Sequence, residues 1–186
     1  RSRLVAMGNQ EKQKVRSDSP TADTIAIHMV CSFAASYRLK IKCGDLENAY
    51  FNGMKMTRVL LLRQPKGGLP GMNHTDRLLA KVPIYGTQDA GRGFWRKLLW
   101  VFKKAGWKPS SIYGACYYFT LETVIKGFLA IHVDDLIWAV FEEFGSMMKE
   151  VEEFLIFGKM EEMNFRFCGR EVTRAGDFTV KITCRD

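Results

Sequence analysis

The feature that most constrains this chain is an apolar stretch, rich in β-branched and aromatic residues, with two aspartates set inside it. The runs Tyr117-Tyr118-Phe119, Val124-Ile125, Phe128-Leu129-Ala130-Ile131 and Leu136-Ile137-Trp138-Ala139-Val140 read as antiparallel strands, and Asp134-Asp135 falls at a hairpin tip between the last two. Aspartate is a poor strand residue, and a buried carboxylate is costly unless it is paired or binds a cation. Two adjacent aspartates at a hairpin tip are also ordinary turn chemistry. On this pair alone, both readings stand.

A second lone carboxylate shifts the balance. Asp45 ends another apolar strand, from Leu39 to Cys43, and precedes Ala49-Tyr50-Phe51. If both acidic strand ends converge on one sheet surface, they form the oxygen cluster that hard divalent cations prefer. Two metals held this way activate a 3′ hydroxyl and stabilise leaving pyrophosphate during in-line phosphoryl transfer. That chemistry needs a basic surface for its polyanions. The chain has 28 Lys+Arg against 20 Asp+Glu, a formal net charge of +8. Such a surplus favours phosphate backbones through counterion release, although a solvated surface would carry it equally well. Most of the surplus lies in the first hundred residues, while 142–162 holds seven of the eleven Glu and reads as a solvated helix face.

The rest of the chain alternates helices with strand pairs. Residues 21–39 carry Ile25, Met29, Phe33 and Tyr37 at i, i+4 spacing with Val30 and Ala34 beside them, and Thr21 or Asp23 as cap. Further helical patterns cover 92–106, stopped by Gly106, and 142–157, with Met147, Val151, Phe154 and Leu155 inward. Residues 40–64 read as strand, break, strand; 65–73 as a Gly/Pro loop; 164–184 as short strands. This order makes the chain α+β, and 186 residues suffice for one domain. Five cysteines, an odd number without Cys-x-x-Cys spacing, argue against a disulfide framework or zinc site and fit a reducing intracellular setting better. No run is long enough to span a membrane. The opening Arg-Ser-Arg is no signal peptide and lacks an initiator Met, which suggests a fragment of something longer.

Taken in order, these segments resemble the reverse transcriptase domain of copia-type LTR retrotransposons over nearly the whole chain. Arg3-Leu4-Val5-Ala6 with Gly8 is similar to the family's Lys-Ala-Arg-Leu-Val-Ala-Arg-Gly, and Ser19-Pro20 to its Phe-Ser-Pro. Asp45-Leu46-Glu47-Asn48-Ala49-Tyr50-Phe51-Asn52-Gly53 is similar to Asp-Val-x-x-Ala-Phe-Leu-Asn-Gly, and Gln64-Pro65 with Gly67 to Gln-Pro-x-Gly. Tyr85-Gly86 with Ala90, Arg92 and Trp95 resembles Leu-Tyr-Gly-Leu-Lys-Gln-Ala-Pro-Arg-x-Trp. Cys116-Tyr117, His132-Val133-Asp134-Asp135-Leu136 and Phe167-Cys168-Gly169 with Glu171 resemble Cys-Leu-Tyr, Tyr-Val-Asp-Asp-Leu and Phe-Leu-Gly-x-Glu.

The resemblance implies a single partial polymerase domain, 1–186, with an antiparallel sheet packed on helices. Roughly 1–35 and 54–90 would be fingers-like, and 36–53 and 91–175 palm-like. It implies an RNA-directed DNA polymerase that joins a nucleotide to a primer 3′ hydroxyl. Its partners would be an RNA or DNA template-primer and a dNTP, with no membrane; the RNase H and integrase regions of the parent polyprotein are expected but absent from this sequence. Asp45, Asp134 and Asp135 would hold two Mg²⁺, with Asp45 and Asp134 the stronger pair. Tyr50 would lie under the nucleotide sugar, Arg3 (with Arg1) near the triphosphate, and Asp89 where the family keeps a nucleotide-side Gln. Arg92 and Lys81 would touch template or primer, or merely flank a helix. The expected location is intracellular, in a cytoplasmic virus-like particle or the nucleus. The chain departs from the pattern at His132 (family Tyr), Asp89 (Gln), Gly91 (Pro) and Gly114 (Asp). Those departures keep a second expectation open: a catalytically inactive remnant that binds nucleic acid through a basic face.

Overall fold

The structure, a computed structural model, describes residues 5–184. Of the two candidate caps, Asp23 starts the first helix, α1 (Thr24–Ser36): its carboxylate accepts a hydrogen bond from the Ala26 N–H at 2.8 Å. The buried stripe of α1 is Ala26, Ile27, Val30, Cys31 and Ala34. This corrects the sequence reading, since Ile25, Met29 and Tyr37 are exposed. The helix is apolar around most of its circumference, so periodicity alone did not choose the inward face. The smaller side chains face in.

The strands form three antiparallel sheets. The largest contains β1 (Ile41–Leu46), β4 (Lys108–Pro109), β5 (Cys116–Leu121), β6 (Val124–His132), β7 (Asp135–Val140) and β8 (Phe157–Glu162), in the order β4-β5-β6-β7-β1-β8. A two-stranded ribbon joins β2 (Leu61–Arg63) to β3 (Arg77–Leu79), and a three-stranded sheet, β11-β10-β9, is made by β9 (Asn164–Phe167), β10 (Arg170–Arg174) and β11 (Val180–Cys184). The other helices are α2 (Ala90–Lys104) and α3 (Ser146–Glu152). The architecture is therefore mixed α and β with antiparallel sheets.

The core joins α1 to one face of the large sheet through Ile41, Cys43, Phe128, Ala130, Ile137 and Ala139, and to the small sheet through Phe165, Phe167 and Val172. Each fully buried aliphatic side chain there contributes roughly 1.5–3 kcal/mol. The sequence pattern extended a helix over 142–157. Instead, a short 3₁₀ turn (Glu142–Phe144) precedes α3, which buries Met148 and Val151, and Phe157–Glu162 is strand β8. Glu161 and Glu162 thus sit on a strand, not on a helix face.

By contact density the chain divides into two units. One holds 48–97 with the segment ending at Ser19; the other holds 20–47 and everything from Leu98 onward. Residues 20–35, grouped above with the fingers-like part, therefore cluster with the large sheet.

Candidate active site

The three aspartates belong to the sheet unit, and the register brings them together. Asp45 on β1 stands directly opposite Asp135 on β7. The next ladder bond, Leu46 N–H to the Asp134 carbonyl at 2.8 Å, makes Asp45–Asp135 a non-hydrogen-bonded pair, in which side chains on one face come closest. The sequence reading had put Asp134 foremost. The structure instead pairs Asp45 with Asp135 and leaves Asp134 beside them in the turn. His132 pairs with Asp135, so Val133 and Asp134 form a two-residue β6–β7 connection. Val133 holds φ 59°, a left-handed conformation that a β-branched side chain adopts only under strain.

Asp45 is fixed from its other side as well. The β1–β8 register slips between Gly44↔Met160 and Leu46↔Phe157, so Gly158 and Lys159 both oppose Asp45 in a bulge. The Lys159 N–H donates to Asp45 Oδ1 at 2.7 Å. A Cβ on Gly158 would lie 2.7 Å from Asp45 Oδ2, so glycine there makes room for the carboxylate.

The electrostatics match this crowding. Burial, then the charges of Asp134 and Asp45, push the Asp135 carboxyl above its ordinary value, with His132 acting in the opposite sense. Cys43, two residues before Asp45 and on the same face, is a buried thiol pushed up to about 12 chiefly by burial. It is neutral at physiological pH and no nucleophile.

Hard carboxylate oxygens, crowded so that Asp134 and Asp45 raise the proton affinity of Asp135, suit a divalent cation. Among the described residues, however, no three His, Cys, Asp or Glu side chains are arranged to hold an ion together. Asp45 gives one oxygen to the bulge instead. A Mg²⁺ held by one or two carboxylates, with water and phosphate oxygens completing its shell, is within that ion's ordinary coordination. The donor set fits Mg²⁺ in this form.

The remaining candidates belong to the other unit. Tyr50 lies in a 3₁₀ turn (Ala49–Asn52), not a strand, and its ring packs edge-on to Tyr85 at 4.7 Å and Phe94 at 6.2 Å. Asp89 is not an unopposed charge. Arg58 grips it through two hydrogen bonds of 2.8 and 2.9 Å and reaches Glu11 at 2.7 Å. The side chains of Arg58, Glu11 and Asp89 are only 11%, 10% and 19% exposed. The Arg58 guanidinium holds the Asp89 carboxyl below its usual value, partly offset by burial. Sequence reading missed this triad because its members are 31 and 47 residues apart with no motif linking them. Gln88 ties the same loop to the N-terminal segment, its side-chain amide donating to the Gly8 carbonyl at 2.9 Å. Arg3 and Arg1 lie outside the described residues.

Comparison of the chain with family models, with characterised proteins and with solved structures finds no match.

Proposed function

We propose that this chain is the palm and part of the fingers of a copia-type reverse transcriptase, an RNA-directed DNA polymerase acting on a template-primer and dNTP. The observation that carries the reading is the register of β1 and β7, which sets Asp45 opposite Asp135 with Asp134 adjacent. Three carboxylates gathered at one sheet end favour divalent metal. Asp45, Asp134 and Asp135 would hold Mg²⁺, which when bound supplies charge neutralisation and activates the attacking hydroxyl. The chain's own contribution is positional. The β1–β7 ladder sets the spacing of Asp45 and Asp135, and the β8 bulge fixes the Asp45 rotamer. In this reading, Tyr50, half-buried against Tyr85 and Phe94, offers a rigid ring to the nucleotide sugar.

A second reading rests on the same details. Asp45 Oδ1 is already engaged by Lys159, and Asp89, where the family keeps Gln, is bound into an ion triad. Both favour an inactive remnant that retains nucleic-acid affinity. Primer extension on an RNA template with Mg²⁺ separates the two. The polymerase reading expects extension by the parent chain and a loss of at least about 100-fold in Asp45→Asn and Asp135→Asn, since removing one charge-stabilising group typically costs that much. Equal extension by parent and variants would refute it. No extension by the parent, with salt-sensitive RNA binding intact, would leave the remnant.

A further inference from the structure

The unit that holds the ion triad also contains a cavity of about 370 Å³. Its wall includes five cationic side chains, Arg16, Lys55, Arg58, Arg92 and Arg96, against one carboxylate, Asp89. Arg58 is spent on Asp89 and Glu11. Among the described residues the other four cations have a single acidic ion-pair partner between them. Arg92 Nη1 meets Asp18 Oδ2 at 2.9 Å, and Arg16 grips the same carboxylate. Neither Lys55 nor Arg96 has an ion-pair partner among the described residues, and both are exposed.

Two details give the wall the character of a receptor. The Arg92 guanidinium lies 4.5 Å above the Trp95 ring, so its plane is held by stacking and its N–H edge is kept in place. The carboxylate that Arg16 and Arg92 share is half exposed, and an exposed ion pair is worth little. Asp18, which is not part of the cavity wall, thus holds two of its arginines weakly enough for an oxyanion to compete for them. A phosphate offers more charge and more acceptor oxygens than a carboxylate, and arginine forks match it in two-point geometry.

We infer that this cavity is a phosphate site, in which Arg16 and Arg92, exchanging the Asp18 carboxylate for the ligand, receive with Lys55 and Arg96 a phosphate ester or polyphosphate. It shares no residue with the aspartate cluster and needs no metal. The phosphate can come from the backbone of a single-stranded nucleic acid or from a free polyphosphate.

The test uses the whole chain in EDTA, with a labelled oligothymidylate of about ten nucleotides, the size of one single-strand site, and with inorganic tripolyphosphate in parallel. Lys55→Gln/Arg96→Gln should weaken binding about tenfold. It should also flatten the log–log salt dependence of oligonucleotide binding by about 1.4, two contacts at about 0.7 each. Asp18→Asn, which releases Arg16 and Arg92 from their shared carboxylate, should tighten binding several-fold. Lys181→Gln, an exposed charge in the other unit, should leave binding within twofold. Melting curves confirm that each variant is folded, as expected for exposed substitutions. Oligonucleotide binding with these responses assigns the site to a strand, and tripolyphosphate binding alone with the same responses assigns it to free polyphosphate. If neither ligand binds, if the double variant binds both like the parent, or if Asp18→Asn weakens binding, the inference is wrong.

Discussion

Replacing Asp135 with asparagine should make the metal-free protein more stable. Asp135 faces Asp45 in a non-hydrogen-bonded register position, where Cβ atoms sit about 4.5–5.5 Å apart. Two unit charges about 5 Å apart repel by roughly 0.8 kcal/mol in water and about 3 kcal/mol at an effective dielectric near 20. Asp45 is exposed and Asp135 only half-buried, so the screened end of that range applies. With Asp134 adding to the repulsion, the total relieved is about 1 kcal/mol. For a chain of this size that raises Tm by about 2–4 °C. If the pair were turn chemistry alone, the isosteric change would stay within about 0.5 kcal/mol. Urea unfolding and thermal melts in EDTA measure the difference. Added Mg²⁺ should then stabilise the parent chain more than the variant, because a ligand stabilises only the state that binds it. A variant no more stable than the parent, or one stabilised equally by Mg²⁺, would refute the electrostatic account of the cluster.

Four further outcomes are expected. Arg58→Met leaves Glu11 and Asp89 facing each other with little solvent and should cost about 2–3 kcal/mol in urea unfolding, with much of that recovered in Arg58→Met/Asp89→Leu. Because Arg58 lowers the folded-state pKa of Asp89, the stability from that contact should be complete above the unfolded value of about 3.9 and lost as pH falls through the lower folded value; acid titrations of the parent and Asp89→Asn should diverge there. Val133→Gly removes a β-branched side chain from φ 59° and should stabilise the β6–β7 connection by about 1 kcal/mol in the same assay, a gain that fails to appear if the turn is unstrained. Gly86→Ala should abolish soluble expression or lower Tm by more than about 5 °C, since φ is 89° and the added Cβ would lie 2.0 Å from the Ala6 carbonyl oxygen.

How far the sequence led differs from element to element. Strands β5, β6 and β7 were legible because their apolar, β-branched runs are long and bounded by turn residues. The helix cap at Asp23 and the stop at Gly106, which holds φ 81°, were legible for equally local reasons. Strand β8 was not. Phe157-Gly158-Lys159-Met160-Glu161-Glu162 continues a polar, Glu-rich run, and only pairing with β1, more than a hundred residues earlier, makes it a strand. The same long-range pairing decided the site. Sequence order put Asp45 and the Asp134-Asp135 pair in view but could not say which of the two faces Asp45; a shift of one residue in register would have exchanged them. The Arg58 triad depends wholly on tertiary approach.

The strand order β4-β5-β6-β7-β1-β8 bears on how the folded chain behaves among copies of itself. Its two borders are β4, two residues ending in Pro109, and β8, which carries Lys159, Glu161 and Glu162. A proline cannot donate to an incoming backbone, and a charged margin repels a second copy laid alongside it. The bulge that serves Asp45 lies on that same charged margin and disrupts the straight ladder a docking strand would need. One irregularity thus holds a carboxylate in place and discourages fibre-like stacking. Substitutions that straighten or neutralise β8 should first be noticed as loss of solubility.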